Sequence, residues 1–209
     1  NYQMVRGKAR YGWLPEGKFL RYHKIEMISN GLWNSATGKH ETTNTNLSWN
    51  FEATEGFMGT AMVTRATENL PDTLKLGNDQ AYIPPGKYPF TFFTLQYFTA
   101  YSHALSGNIT AEAGSFYDGW KLSLAAAPTL NLGSDFSLDL TYNLNYLNLS
   151  GRSLKFTNHI IGLKGLMTLT TETSLSAFIQ YNTAVDKVYT NIRFRYNPSE
   201  GNDFWLVYD

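Results

Sequence analysis

Over much of this chain hydrophobic and polar residues alternate one by one. Between Phe136 and Tyr146, Phe136, Leu138, Leu140, Tyr142, Leu144 and Tyr146 oppose Ser137, Asp139, Thr141, Asn143 and Asn145. Successive strand residues point to opposite sides, so this run makes a strand that is apolar on one face and polar on the other. A helix would need apolar residues three and four apart. The same alternation sets Leu175, Ala177, Ile179 and Tyr181 against Ser174, Ser176, Gln180 and Asn182, with Phe178 alone breaking the polar side. It sets Val188, Thr190, Ile192, Phe194 and Tyr196 against Tyr189, Asn191, Arg193, Arg195 and Asn197. A short last strand over 202–209 carries Phe204, Leu206 and Tyr208 on one face. Upstream, Ile109, Ala111 and Ala113 oppose Thr110, Glu112 and Gly114, and Leu122, Leu124, Ala126 and Leu130 oppose Lys121, Ser123 and Thr129. Leu47, Trp49, Phe51 and Ala53 oppose Asn46, Ser48, Asn50 and Glu52. Near the start, Met4, Arg6, Lys8 and Arg10 oppose Val5, Gly7, Ala9, Tyr11 and Trp13.

Turn chemistry separates these runs. Leu14-Pro15-Glu16-Gly17, Asn34 to Lys39, Glu55-Gly56, Gly133-Ser134-Asp135 and Pro198-Ser199-Glu200-Gly201 predict breaks, and Asp118-Gly119 predicts a type I′ hairpin turn with glycine at positive φ. Phe19 to Asn34 predicts a strand with blurred alternation, since Arg21, His23 and Ile25 share a face; such a segment suits a projection beyond a bilayer. Thr67 to Gly86 has three prolines and no sustained period, which predicts the longest loop, a connector or a binding lid. Tyr88 to Tyr101 is aromatic on both faces, with Phe90, Phe92 and Phe98 on one and Phe93, Leu95, Tyr97 and Tyr101 on the other. That pattern fits crowding inside a narrow barrel, or contact with a plug or partner. About 12 short strands joined by tight turns predict an all-β fold, an antiparallel up-and-down transmembrane β-barrel.

Composition agrees. Charged residues are 16% of the chain and aromatics 15%, where globular domains carry about 25% charged residues. Mean hydropathy is −0.32, which is compatible with a membrane barrel because its strands spend every second residue on a polar interior. Net charge is zero, so nothing points to nucleic acid or to a polybasic membrane patch. With no cysteine, disulfides and thiolate metal sites are excluded. No apolar run of about 18 residues occurs, which excludes a transmembrane helix. Toward lipid, Arg6, Lys8 and Arg10 would each cost about 2–4 kcal/mol near the midplane, so they are expected to face a lumen or rim. The opening Asn1-Tyr2-Gln3-Met4 is already strand-like and carries no export signal. The expectation is therefore the C-terminal part of a longer protein, its barrel complete at about 12 strands or larger.

A search for reactive constellations returns none. His23, His40, His103 and His159 have no metal-ligand spacing, there is neither a nucleophile elbow nor a P-loop, and Gly107, Gly114 and Gly119 precede no helix. No cofactor, metal or catalytic residue is expected. The alternation assigns Arg6, Lys8, Arg10, Glu112, Asp139, Asn143, Arg193 and Arg195 to the lumen, and Leu138, Leu140, Tyr142, Ile192 and Phe194 to lipid. Asp203, Glu52, Glu112 and Asp139 are the counter-charges available to these cations; Glu52, Glu112 and Asp139, sharing a lumen, also meet the least requirement for a carboxylate pair. Because charges away from water persist only when paired, a lumen largely filled by ionic and hydrogen-bonded ladders is expected.

The last third also carries a resemblance. Phe178-Ile179-Gln180-Tyr181-Asn182, Arg193-Phe194-Arg195-Tyr196-Asn197-Pro198, and Glu200-Gly201-Asn202-Asp203 with Leu206-Val207-Tyr208 resemble the C-terminus of a Gram-negative outer-membrane family of unknown function. Gly114 to Gly119 and Ile83 to Tyr88 match it too, so the likeness covers roughly the last 130 residues well and the first 80 loosely. Members of that family place a carbohydrate-binding-module (family nine-like) domain before a C-terminal β-barrel. The resemblance implies residence in the outer membrane, contact with outer-membrane lipid and with other outer-membrane proteins, and glycan binding through a domain outside this sequence. It implies no reaction. The expected role is a membrane anchor and assembly surface; the rivals are a solute-conducting channel and a soluble ligand-binding β-barrel.

Overall fold

The computed structural model describes residues 2–76, 81–100 and 102–209. Tyr101, assigned above to an aromatic face, lies outside them. Among the described residues fourteen strands follow one another. They are β1 (Tyr2–Trp13), β2 (Leu20–Asn34), β3 (His40–Ala53), β4 (Met58–Leu70), β5 (Leu74–Leu76), β6 (Ala81–Ile83) and β7 (Gly86–Phe98), then β8 (Leu105–Phe116), β9 (Gly119–Leu132), β10 (Phe136–Leu149), β11 (Leu154–Thr168), β12 (Thr173–Asn182), β13 (Lys187–Ser199) and β14 (Asn202–Tyr208). Among the described residues the one helical element is a single 3-10 turn, Ser150–Arg152. The fold is all-β. Twelve strands form one sheet in the order β1-β2-β3-β4-β7-β8-β9-β10-β11-β12-β13-β14, and β5 pairs with β6. This is the antiparallel up-and-down arrangement of meander barrels. The order runs from β1 to β14 without pairing them, so the sheet is not closed.

Two compact units divide the chain: Asn1–Tyr97 with Thr110–Ser123 and Asn145–Phe156, and Phe98–Ile109 with Leu124–Leu144 and Thr157–Asp209. In the first, register converts sequence alternation into rows across the sheet. Ala9, Met27, Leu47 and Val63 stand side by side, and so do Tyr11, Ile25, Trp49 and Ala61. The opposite face reads Lys8, Ile28, Asn46, Thr64 and, one row on, Arg10, Glu26, Ser48, Met62. The apolar rows are open to the surroundings, with Leu47 52% and Trp49 42% exposed. In the second unit, Met167, Leu175, Phe194 and Leu206 form one apolar row and Gly165, Ala177, Ile192 and Tyr208 the next. Leu166, Ser176, Arg193 and Val207 face the other way.

Three expectations need correction. The supposed loop from Thr67 to Gly86 is largely ordered strand: β4 runs on to Leu70, and β5 and β6 make a small hairpin. Three-residue strands carry too few positions to display a period. The turn between β8 and β9 is made by Tyr117 and Asp118, with Tyr117 at φ 50, while Gly119 already belongs to β9. Glycine is needed there for closeness rather than for φ, because a Cβ would collide with the Asn148 carbonyl oxygen. Finally, β13 continues through Pro198 to Ser199 with a register shift after Tyr196, leaving Glu200 and Gly201 (φ 84) to turn the chain. An irregularity at the strand's end accommodates the missing proline N–H.

Among the described residues the buried hydrophobic side chains are Ala53, Ile83, Phe90, Leu149 and Leu154. Ile83, Leu149 and Leu154 form one cluster, against which Leu70, Leu74, Tyr88, Phe116, Tyr117 and Leu147 pack. The β5–β6 hairpin thus contributes Ile83 and Leu74 to this buried cluster of the first unit.

Candidate functional site

The polar face carries the sheet's ionic chemistry. On β1 and β2, Lys8 Nζ lies 2.8 Å from Glu26 Oε2, and Lys24 Nζ lies 3.9 Å from the same oxygen. Arg10 is the direct cross-strand neighbour of Glu26, and Arg6 that of Asn30. Beyond Glu26 the face continues as hydrogen bonds: Asn50 Nδ2 donates to Ser48 Oγ at 3.0 Å, Thr60 to Asn50 Oδ1 at 2.9 Å, and Thr64 to Asn46 Oδ1 at 2.8 Å. The counter-charge for Lys8 is therefore Glu26, which Arg10 also faces across the strands. Alternation alone did not single it out, because β2 is the strand whose pattern is blurred; the signal was that Lys24, Glu26 and Ile28 share a face.

Each carboxylate expected to serve as a shared counter-charge has its own local partner. Glu52 pairs with Arg21 at 2.9 Å, Glu112 with Lys121 at 2.7 Å, and Asp139 accepts from Thr129 Oγ1 at 2.7 Å. Lys121 also lies over the rings of Phe92 and Phe116, at 5.1 Å and 5.5 Å from their centroids. A carboxylate pair for acid–base chemistry would need two such groups facing one substrate; each of these three is instead engaged by a neighbouring strand. Asn143 is half-buried on β10. Among the described residues no group of three or more His, Asp or Glu is placed to hold a metal ion.

On the last strands the two expected arginines behave differently. Arg195 Nε donates to Asp203 Oδ1 at 2.7 Å, its guanidinium lies 5.5 Å from the Trp205 ring centroid, and Asn197 Nδ2 reaches the same Asp203 oxygen at 3.1 Å. Asp203 is thus the counter-charge of Arg195, as expected. Among the described residues Arg193 has no ion pair, and it lines an open depression of about 770 Å³ together with Lys164, Ser176, Phe178, Tyr189, Asn191 and Asp209. Lys164 escaped the sequence reading because its strand, β11, interleaves Gly162 and Gly165 with its apolar residues.

Of the residues assigned to lipid, Ile192 and Phe194 stand on the face opposite Arg193 and Arg195. Ile192 and Phe194 stand opposite Ala177 and Leu175, and opposite Tyr208 and Leu206. Leu140 and Ile192 are exposed, while Leu138, Tyr142 and Phe194 are half-buried. Tyr142 shares a 3.0 Å hydrogen bond between its hydroxyl and His159 Nδ1. The aromatic density of β7 divides in the same way. Phe90 is buried against Phe116 and Tyr117, whereas Phe93 and Leu95 are each 60% exposed.

A separate cluster surrounds the β8–β9 turn. Arg152 Nε lies 2.8 Å from Asp118 Oδ2, and its Nη1 donates to the Tyr82 carbonyl at 2.5 Å, tying the β6 strand to the turn. Tyr117 donates to Glu68 Oε2 at 3.2 Å. Burial, with the negative charge of Glu68 beside it, pushes the Tyr117 hydroxyl up to about 12. Sequence spacing could not bring Glu68, Tyr82, Tyr117 and Arg152 together; the strand order of the sheet and the β5–β6 hairpin do.

Such a site and sheet define an all-β antiparallel protein in which each unit carries an exposed apolar face and an ion-paired one. Comparison of the chain with protein-family models, with curated proteins and with solved structures gives no match.

Proposed function

We propose that this chain is an integral outer-membrane β-barrel whose task is to anchor and present, rather than to transform a substrate. The observation that carries the proposal is the exposed apolar face: rows such as Ala9-Met27-Leu47-Val63 and Met167-Leu175-Phe194-Leu206 stand on the face opposite the ion pairs. Contiguous apolar surface of this kind is rare on water-soluble monomers and normal on lipid-facing strands. The accessible surface is 13615 Å² for 23.7 kDa, whereas a folded soluble monomer of that mass exposes about 9,800 Å². In this reading the ion-paired face is the lumen wall. Lys8–Glu26, Lys121–Glu112 and Arg195–Asp203 then neutralise it, as suits a filled lumen better than a general pore.

The apolar face also marks its own limits. In the first unit the row beyond Ala9-Met27-Leu47-Val63 is Gly7, Ser29, Thr45 and Arg65. There Ser29 and Thr45 hydrogen-bond at 2.8 Å, and Arg65 donates to Thr91 Oγ1 at 2.7 Å. Placing that row at the headgroup level leaves the far ends of β2, β3 and β4 outside the hydrocarbon. By the resemblance of the C-terminal motifs, the projecting part would serve a glycan-binding-like domain of the same protein.

The test is cysteine labelling of the full chain in liposomes. Single cysteines at Leu138, Leu140, Tyr142, Ile192 and Phe194 are expected to react with a lipid-soluble maleimide and resist a water-soluble one, with the opposite outcome at Asn143, Arg193 and Arg195. Reversed labelling would assign the apolar face to a protein core and return the soluble barrel.

A further inference from the structure

Phe178 is the residue that breaks the polar side of β12, and its position in the sheet gives that break a use. On the polar face Phe178 is flanked by Lys164 of β11 and Asn191 of β13. One row away stand Ser176 and Arg193 on one side, Gln180 and Tyr189 on the other. Lys164, Ser176, Phe178, Tyr189, Asn191 and Arg193 all line the depression of about 770 Å³. The cations Lys8, Lys121 and Arg195 are satisfied by carboxylates within 2.8 Å. Among the described residues neither Lys164 nor Arg193 has an ion pair. Among the described residues the carboxylate that lines the depression is Asp209, which accepts from Asn191 Nδ2.

Two strand spacings and two residues along the strand separate Lys164 from Arg193, about 12 Å between α-carbons. Both are long, flexible cations, and between them lie the Ser176 hydroxyl and the Phe178 ring. A guanidinium fork presents two parallel N–H donors to phosphate oxygens, and an ammonium adds a point charge. An aromatic ring offers a flat apolar surface to a ligand ring.

We propose that this depression binds a small organic phosphate, its phosphate group held by Arg193 and Lys164 and its ring lying over Phe178. The assignment goes beyond the anchor reading and does not depend on it, since the same groups would face a ligand whether or not the opposite face meets lipid. The phosphate could belong to a soluble compound or to a lipid headgroup, and the two are separable.

The experiment is calorimetric titration of the full chain in neutral detergent at low ionic strength, with phenyl phosphate and with inorganic phosphate as probes. Saturable binding of phenyl phosphate is expected. Arg193→Gln and Lys164→Gln should each weaken it about tenfold or more, the scale of one hydrogen bond to a charged group. Phe178→Ser should weaken phenyl phosphate while leaving inorganic phosphate unchanged. Arg193→Lys should recover part of the loss, which excludes simple unfolding, and circular dichroism of each variant checks the sheet directly. Arg6→Gln, which removes one positive charge from β1, should change nothing. Phosphatidic acid added to the micelles distinguishes the sources: competition assigns the site to a headgroup phosphate, and its absence to a soluble one. Absence of saturable binding to the unaltered chain, or an Arg6→Gln loss equal to that of Arg193→Gln, would overturn the proposal.

Discussion

Replacing Glu26 by Gln removes the charge that two lysines share while keeping the side chain's size. The oxygen lies 2.8 Å from Lys8 Nζ and 3.9 Å from Lys24 Nζ. At an effective dielectric constant of about 20 the gross attractions are about 6 and about 4 kcal/mol. Desolvation and the ordering of two long side chains return most of that. Exposed pairs keep about 0–1 kcal/mol, and breaking a buried pair costs about 3–5 kcal/mol. The Glu26 side chain is 13% exposed and that of Lys8 42%, so the site falls between these limits and a loss of about 2 kcal/mol is expected. Arg10, directly opposite Glu26, adds to the repulsion left behind. Denaturant unfolding in detergent micelles measures the loss, and a double-mutant cycle with Lys8→Met isolates the pair. Coupling of about 1–2 kcal/mol is expected, well above the roughly 0.5 kcal/mol within which independent sites add. A Glu26→Gln variant as stable as the unaltered chain, or a cycle with no coupling, would refute the view that this face is held by ion pairs.

Three further outcomes are expected. Leu149, fully buried against Ile83 and Leu154, should cost about 2–5 kcal/mol as Leu149→Ala, with faster amide exchange at Ile83 and Leu154 as the local signature. Gly119→Ala should be poorly tolerated, because its Cβ meets the Asn148 carbonyl and the Leu149 α-carbon, which are backbone and cannot swing aside; thermal unfolding should show a loss of at least about 1–3 kcal/mol. Tyr117, raised from its ordinary 10 to about 12 by burial and then by Glu68, favours the fold in its protonated form. Its contribution is complete below pH 10 and declines between pH 10 and 12, so thermal midpoints measured across that window should fall for the unaltered chain and fall less steeply for Tyr117→Phe.

The strands were legible because a period of two is a local property. Phe136 to Tyr146 states its own two faces without reference to any neighbour, and β13 does the same. Turns were legible where glycine adopts positive φ, as at Gly56, Gly133 and Gly201. Gly119 was misread because its constraint comes from Asn148, a residue distant in sequence and adjacent in space. The β5–β6 hairpin was missed since neither strand is long enough to show alternation. Partners of the charges were only half legible. Asp203 follows Arg195 across one tight turn and could be found, whereas Glu26 meets Lys8 through a register fixed by the whole β1–β2 pair. Lys164 and Arg193 lie on strands separated by β12, so their common depression needed two registers at once.

Tryptophan fluorescence in bilayers of brominated lipid tests the membrane face most directly, because the reporters are already in place. Trp49 stands in the apolar row Tyr11-Ile25-Trp49-Ala61, while Trp205 is on the polar face opposite Arg195. In variants retaining a single tryptophan, the account predicts strong quenching of Trp49 by bromine in the acyl chains and little quenching of Trp205. Equal quenching of both, or quenching of Trp205 alone, would contradict it.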